Sequence, residues 1–304
     1  GVINQALIRI RINKNKIISS YFLLYFNCII ERVKEEYSKG SAMKNLVSVK
    51  VLEQLSFIIP FRNDKPDLET QKKIVEYIEA NFSRIDKILE KKKKELELLD
   101  EFWESVLEQT FKPKEGEEWR EVRLEEVAYI IRGVNFKKGE IVPVNQGEAV
   151  ITASHIQGDH LIKENLIFVP STKVKPEQKV KNGDIVIVMS TGSRTALGRT
   201  YYSRFDEDVY IGAFLGIIRY NDTEKNSKFI YFFTKTQKFK AHLLDYTGSQ
   251  INNIGISKLK NLKIPLPFRN SKPDIEKQKE IANYLDNIYE KIKTLKEKNQ
   301  KQIA

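Results

Sequence analysis

One cysteine, three histidines and two methionines in 304 residues leave little material for several kinds of chemistry. With Cys28 alone there is no internal disulfide framework and no cysteine metal cluster. It sits in YFLLYFNCII, where the expected state is a buried, inert thiol. That stretch is too short to span a bilayer, and Asn27 interrupts it. Neither a signal peptide nor a lipidation motif is visible, so the expectation is a cytoplasmic protein. Glycine-rich cradles are missing as well. GSRTALGRT, from Gly192, superficially resembles a phosphate loop, but five residues separate its glycines instead of four and Arg199 stands in place of the lysine. No Gly-x-Gly-x-x-Gly follows a strand. His155 and His160 flank IQGD in isolation and read as a polar loop. KPD at 65–67 and again at 272–274 could evoke a nuclease motif, but its place at a helix start fits capping better. No catalytic residue, cofactor or metal site is assigned.

What is abundant is positive charge, 52 Lys and Arg against 41 Asp and Glu. Its placement is uneven. Segments 58–118 and 267–304 hold 21 basic and 22 acidic residues, whereas the rest holds 31 and 19. The excess therefore lies in the globular parts, a distribution that a general enrichment in lysine would not produce and that points to an anionic partner.

The chain also repeats itself. PFRNDKPDLETQKKIVEYIE begins at Pro60 and PFRNSKPDIEKQKEIANYLD at Pro267. Similarity extends upstream, where GSAMKNLVSVKVLEQLSFII from Gly40 lies over GSQINNIGISKLKNLKIPL from Gly248 with one residue of slippage. Residues 1–110 thus match the second half of a unit whose first half, near 119–208, has no counterpart. The expectation is a two-unit protein short of roughly 90 N-terminal residues.

Asp67 and Asp274, each after a proline, are expected helix N-caps. Downstream of the first, apolar residues fall at Val75, Ile78, Phe82, Ile85, Leu89, Leu96, Leu99, Trp103 and Val106. The steps alternate three and four, with Lys92 breaking the seam. The second helix gives Ile281, Leu285, Ile288, Ile292 and Leu295. This heptad spacing favours a coiled coil over two amphipathic helices lying on their own domains. EKKKKELE within the first helix reads as its solvated face. Between the helices, DIVIVMS, ENLIFVP and YIGAFLGIIRY read as strands, and NSKFIYFFTKTQKFKAHLLDY as helical. The expected fold class is α+β, with mixed α/β globular domains joined by long antiparallel coiled-coil helices. The expected order is a globular remnant at 1–57, a long-helix region at 58–117, a complete globular domain at 118–266 and a second helix region at 267–304.

Three loop clusters of the globular domain suit nucleic acid. MSTGSRTALGRTYYSR offers Ser190, Thr191, Ser193, Arg194, Thr195 and Arg199 beside Tyr201 and Tyr202. TGSQINN offers Gln250, Asn252 and Asn253, and Lys258 follows in a basic stretch. IIRGVNFKKGE offers Arg132, Lys137 and Lys138. Arginine grips guanine with two parallel hydrogen bonds, amides match adenine, and lysine meets phosphate. Taken singly, each cluster is explained as well by turn-forming Gly, Ser and Asn. Taken with the charge partition, they point to DNA or RNA.

The layout resembles the specificity subunit of type I restriction–modification systems. The resembling residues are EWREVRLEEVAYIIRG from Glu118, GSQINNIGISKLKNLKIPLPF closing that domain, and KQKEIANYLDNIYEKI with its earlier copy TQKKIVEYIEANFSRI. Gln71 and Gln278 occupy the glutamine position that leads into the long helix in this family. The resemblance implies two target-recognition domains, each reading half of a bipartite double-stranded DNA site. It implies paired helices that space them, and two methyltransferase subunits docked on that platform, which a restriction subunit can join. Catalysis would belong to those partners, the chain itself being no enzyme. The first recognition domain departs from the pattern, surviving only as 1–57. Two other readings share some of these features. One is a nuclease or methyltransferase in its own right, which lacks its motifs here. The other is a coiled-coil scaffold that binds RNA or ribosomes.

Overall fold

The computed structural model describes residues 9–37, 52–144, 146–193, 195–220, 227–245 and 253–303. They belong to two compact units, Gly1–Lys94 and Glu95–Ala304.

In the first unit, helix α1 (Ser19–Tyr37) contributes Tyr21 to a small core with Ile17 and Val75. Strands β1 (Phe61–Arg62) and β2 (Lys65–Pro66) form a two-residue hairpin in which Asn63 and Asp64 both take positive φ, 51° and 61°. That is the tight turn whose twist matches its strands. The hairpin delivers Asp67 to the start of helix α2 (Leu68–Thr110), where its carboxylate accepts the Thr70 amide at 2.9 Å. Gln71 then fastens α2 to the start of α1, donating to the Lys16 carbonyl and accepting from the Ile18 amide, both at 2.9 Å. Cys28 is exposed rather than buried. It lines an open groove of about 580 Å³ with Leu24, Ile78 and Phe82.

In the second unit, strand β3 (Glu118–Arg123), helix α3 (Leu124–Val127) and strand β4 (Ala128–Arg132) open a mixed domain. Next come β5 (Glu148–Ile151), β6 (Ile156–Gln157), β7 (His160–Leu161), β8 (Ile167–Val169), β9 (Ile185–Val188), β10 (Thr200–Tyr202), β11 (Tyr210–Ile211) and β12 (Leu215–Tyr220). Helices α4 (Ser227–Phe233), α5 (Gln237–Asp245) and α6 (Ile256–Lys260) follow, then β13 (Lys263–Arg269), β14 (Lys272–Pro273) and helix α7 (Ile275–Ile303). The central sheet runs β10-β9-β12-β4, antiparallel throughout. Its second strand is an unbroken apolar run because both faces are covered. Ile185 and Ile187 enter the core shared with the helices, while Val186 and Val188 enter a second core with Ile151, Ile156 and Ile211. Strand β3 pairs with β13, so the first and last strands of the domain close on each other.

The aromatic stretch after β12 is two helices rather than one. Thr234 and Thr236 turn their hydroxyls back onto the Tyr231 and Phe233 carbonyls at 2.6 and 2.8 Å, and Thr236 accepts the Phe239 amide at 3.2 Å, capping α5. The run YIGAFLGIIRY is likewise broken, into β11 and β12, by a turn at 212–214. His155 lies in the core, its Nδ1 2.9 Å from the Thr152 hydroxyl, and not in an open polar loop.

At the end of the domain the Pro60 segment is built again. Asn270 and Ser271 take φ of 51° and 62°, and Asp274 accepts the Lys277 amide at 3.0 Å. Helix α7 runs antiparallel to the 95–110 part of α2. Glu95 bonds Asn299, Asp100 pairs with Lys296, and Trp103 meets Tyr289 at a 50° tilt with ring centres 5.3 Å apart. Of the apolar stripe, Val75, Ile281, Leu285 and Ile292 are buried. Ile78, Leu89, Leu96, Leu99, Trp103, Val106 and Ile288 are half-buried. Phe82, Ile85 and Leu295 correct the sequence expectation, being 55, 50 and 49 % exposed. At the α7 end, it is Asn299 that packs toward α2, and Leu295 faces out. Leu107, outside the expected stripe, is buried because that stretch of α2 also packs on the domain core.

Candidate nucleic-acid interface

Strand direction gathers members of the loop clusters at one end of the central sheet. Strands β4 and β9 end where β12 begins, with Arg132 opposite Gly216 and Val188 opposite Leu215. Val188 and Gly198 close the long β9–β10 loop through a 2.9 Å amide–carbonyl bond, and Gly198 makes the turn with φ of +75°. Arg132, Ser190, Thr191, Ser193, Thr195 and Arg199 therefore lie at the same sheet end. Asn253 joins them. It pairs with Ser190 in an antiparallel bridge, and the next amide, Ile254, donates to the Met189 carbonyl at 2.6 Å. Two clusters about sixty residues apart in the chain thus form one surface.

The side chains of this surface divide by what they already bind. Ser193 and Thr195 share a hydroxyl bond at 2.9 Å, the Ser193 amide donates to the Thr191 hydroxyl, and half-buried Arg199 donates Nε to the Thr195 carbonyl at 3.0 Å. These contacts shape the loop. Arg132, Lys137, Lys138 and Asn253 are exposed, as is Lys258 on α6. Lys137 caps a short turn through its backbone amide, which donates to Glu140 at 2.7 Å and leaves the side chain unconstrained by that bond. The acid of this cap, Glu140, also pairs with Lys173, and its carboxyl is held below the ordinary range by that ammonium and the Lys137 amide. Arg194, Gln250 and Asn252 lie outside the described residues.

One residue was absent from the sequence reading. Phe214 is 61 % exposed, and its carbonyl accepts from the Met189 and Ser190 amides, which puts its backbone beside the Ser190–Asn253 bridge. In sequence it is one more apolar residue of YIGAFLGIIRY. Only the turn at 212–214 turns it outward. Gly133 permits that turn, since a Cβ there would sit on the Gly212 carbonyl oxygen. The domain behind is rigidly held. Arg219 grips buried Asp184 with two bonds of 2.8 and 2.6 Å and spends its other donors on the Glu177 and Lys179 carbonyls. Among the described residues no group of three or more His, Cys, Asp or Glu is placed to hold a metal, and no helix is long and apolar enough to cross a membrane.

Residues 116–303 match the family model of the type I restriction modification DNA specificity domain. The specificity subunit of the type I restriction enzyme StySPI, from Salmonella potsdam, is 31 % identical over 185 residues, covering 59 % of this chain and 38 % of that protein. The MjaVIII specificity subunit of Methanocaldococcus jannaschii is 25 % identical over 323 residues, covering 100 % of this chain and 71 % of its own. A chain solved for the structural basis of complex assembly and conformational transition of the type I R-M system superposes with a TM-score of 0.72 at 20 % identity, covering 97 % of this chain and 69 % of that one. These matches give no support to an RNA- or ribosome-binding scaffold. A family match that spans the second helix region as well as the globular domain includes both the sheet-end surface and the helix behind it, and the chain belongs to the type I restriction–modification DNA specificity family.

Proposed function

We propose that the chain is a non-catalytic, sequence-reading subunit acting on double-stranded DNA. Residues 118–266 form a recognition domain for one half of a bipartite site. The helix regions 58–117 and 267–304 set its spacing from a second reader, to which residues 1–57 belong, and carry two methyltransferase subunits that restriction subunits can join. Such an assembly works in the cytoplasm, where its DNA is. The observation that carries the reading is the convergence of Arg132, Ser190, Phe214 and Asn253 at one sheet end. That end combines cations for phosphate, an amide and a hydroxyl for base edges, and an aromatic ring. Acidic and basic residues are balanced in the helix regions and the basic excess lies elsewhere, which fits docking on the one and DNA on the other.

Equilibrium binding of the chain assembled with methyltransferase subunits, using random duplex DNA and structured RNA as competitors, tests this. Duplex DNA is expected to win, with affinity falling steeply as salt rises. Stronger competition by RNA would overturn it.

A further inference from the structure

Behind the sheet-end surface, one carboxylate joins three elements. Asp159 sits at the tip of the β6–β7 hairpin, next to Gly158, whose φ of +59° makes the turn. It accepts from the Tyr231 hydroxyl of α4 at 2.7 Å, from the Lys235 ammonium just beyond α4, and from the Tyr289 hydroxyl of α7. Lys235 also donates to the Thr200 carbonyl at 2.8 Å, so β10 is held at the same point. The Tyr289 ring packs at a tilt against Trp103 of α2. A second set lies alongside on the same face of α7. Arg204 reaches Glu290 at 2.8 Å and Asp286 at 3.6 Å, and Lys228 reaches Asp286 at 2.7 Å.

Apolar contact is indifferent to direction, so Leu285 and Ile292 alone would tolerate small rotations of α7 against the domain. A carboxylate with three directed donors tolerates few. We propose that Asp159 is a positioning residue that fixes the rotation of the recognition domain on the spacer helix α7, and with it the distance and phase at which the domain's half-site is read. Two bonds tie the carboxylate to the α4 end of the domain and one to the helix. Tyr289 is therefore the single link through which Asp159 sets α7. The Arg204 pairs, with that side chain 51 % exposed, add little to the angle, and the Lys228–Asp286 pair is a two-partner contact on the same face, whereas Asp159 gathers three donors from two elements. The proposal rests on the bipartite-reading function above and names what in this chain sets the spacing.

The test uses Tyr289→Phe, which deletes one hydroxyl and leaves the ring packed, and Asp159→Asn, which keeps the shape. In the protein assembled with methyltransferase subunits, binding is measured on duplexes whose non-specific spacer is lengthened or shortened by one base pair. Wild type should favour one spacer. Each variant should cut that preference by about tenfold while half-site sequence preference stays unchanged. Unchanged spacer preference in both variants, or loss of half-site preference together with it, would overturn the proposal. A wild-type complex with no sequence preference at all would instead fail the function reading. The free chain then still tests the clamp, by the distance between spin labels at Thr172→Cys and Lys298→Cys, both exposed positions, in a Cys28→Ser background. One narrow distance is expected for wild type and a broadened one for Tyr289→Phe. Identical distributions would refute the positioning role.

Discussion

Ser190 and Asn253 face each other across an isolated antiparallel bridge, which brings the loop after β9 and the segment before α6 onto one surface. Main-chain bonds make the bridge, so the exposed Asn253 side chain is not needed to hold it. Asn253→Ala should therefore leave thermal stability within about 0.5 kcal/mol while weakening cognate DNA by about 1–3 kcal/mol. Melting and binding on one preparation check both halves of that statement.

Phe214 should behave as a contact residue too. An exposed ring at a basic surface can wedge against base steps or meet a thymine methyl group. Phe214→Ala should weaken cognate duplex about tenfold, without loss of fold, in titrations beside wild type. An unchanged affinity would remove the ring from the interface.

Lys137, Lys138 and Lys258 are expected to meet phosphates. Replacing any one with alanine should weaken cognate and random duplex equally and reduce the slope of log affinity against log salt by about one unit. The salt series on both duplexes reads this directly. A change confined to the cognate duplex would mean base contact instead.

The Arg219–Asp184 pair bears on stability rather than binding. The Asp184 side chain is 1 % exposed, and Arg219→Ala would leave its charge buried without its guanidinium. Loss of one partner of such a pair costs about 3–5 kcal/mol, which denaturant unfolding would show. Near-wild-type stability would mean that water reaches the carboxylate.

Asp159 predicts an acid limb. Burial pushes its carboxyl up, but the Lys235 charge and the Lys235, Tyr289 and Tyr231 donors outweigh that, holding it below its usual value near 3.8. A carboxyl depressed on folding adds stability that is complete above its unfolded value and is lost as pH falls through its folded one. The stability gap between wild type and Asp159→Asn should thus be level from about pH 5 to 8 and close below about pH 4. A gap that widens on acidification would contradict the assignment.

Much of the architecture was legible in the sequence, for reasons that are local. The Asp67 and Asp274 caps and the 3-4 apolar spacing depend on near neighbours, and repetition made them visible twice. What was missed depends on tertiary placement. Cys28 looked buried because its neighbours are apolar, but it lines an open groove. Phe82, Ile85 and Leu295 keep the helix rhythm without a partner surface among the described residues. Thr234 and Thr236 break a helix through side-chain bonds that periodicity does not register. Asp159 lay between two histidines that drew attention as poor metal ligands, while its own partners sit about 72 to 130 residues away along the chain. The loop candidates were found by residue type, yet only strand direction shows that Arg132, Ser190 and Asn253 share one sheet end.

The central claim is that this sheet end reads base sequence. The most direct measurement is selection from a pool of duplexes randomised across one half-site, using the methyltransferase-bound protein as wild type and with Arg132→Ala or Asn253→Ala. The account predicts that wild type enriches one defined half-site. Each variant should relax preference at one or two of its positions by about 1–3 kcal/mol and keep the others. Enrichment of no sequence by wild type, or an identical enriched sequence from both variants, would contradict it.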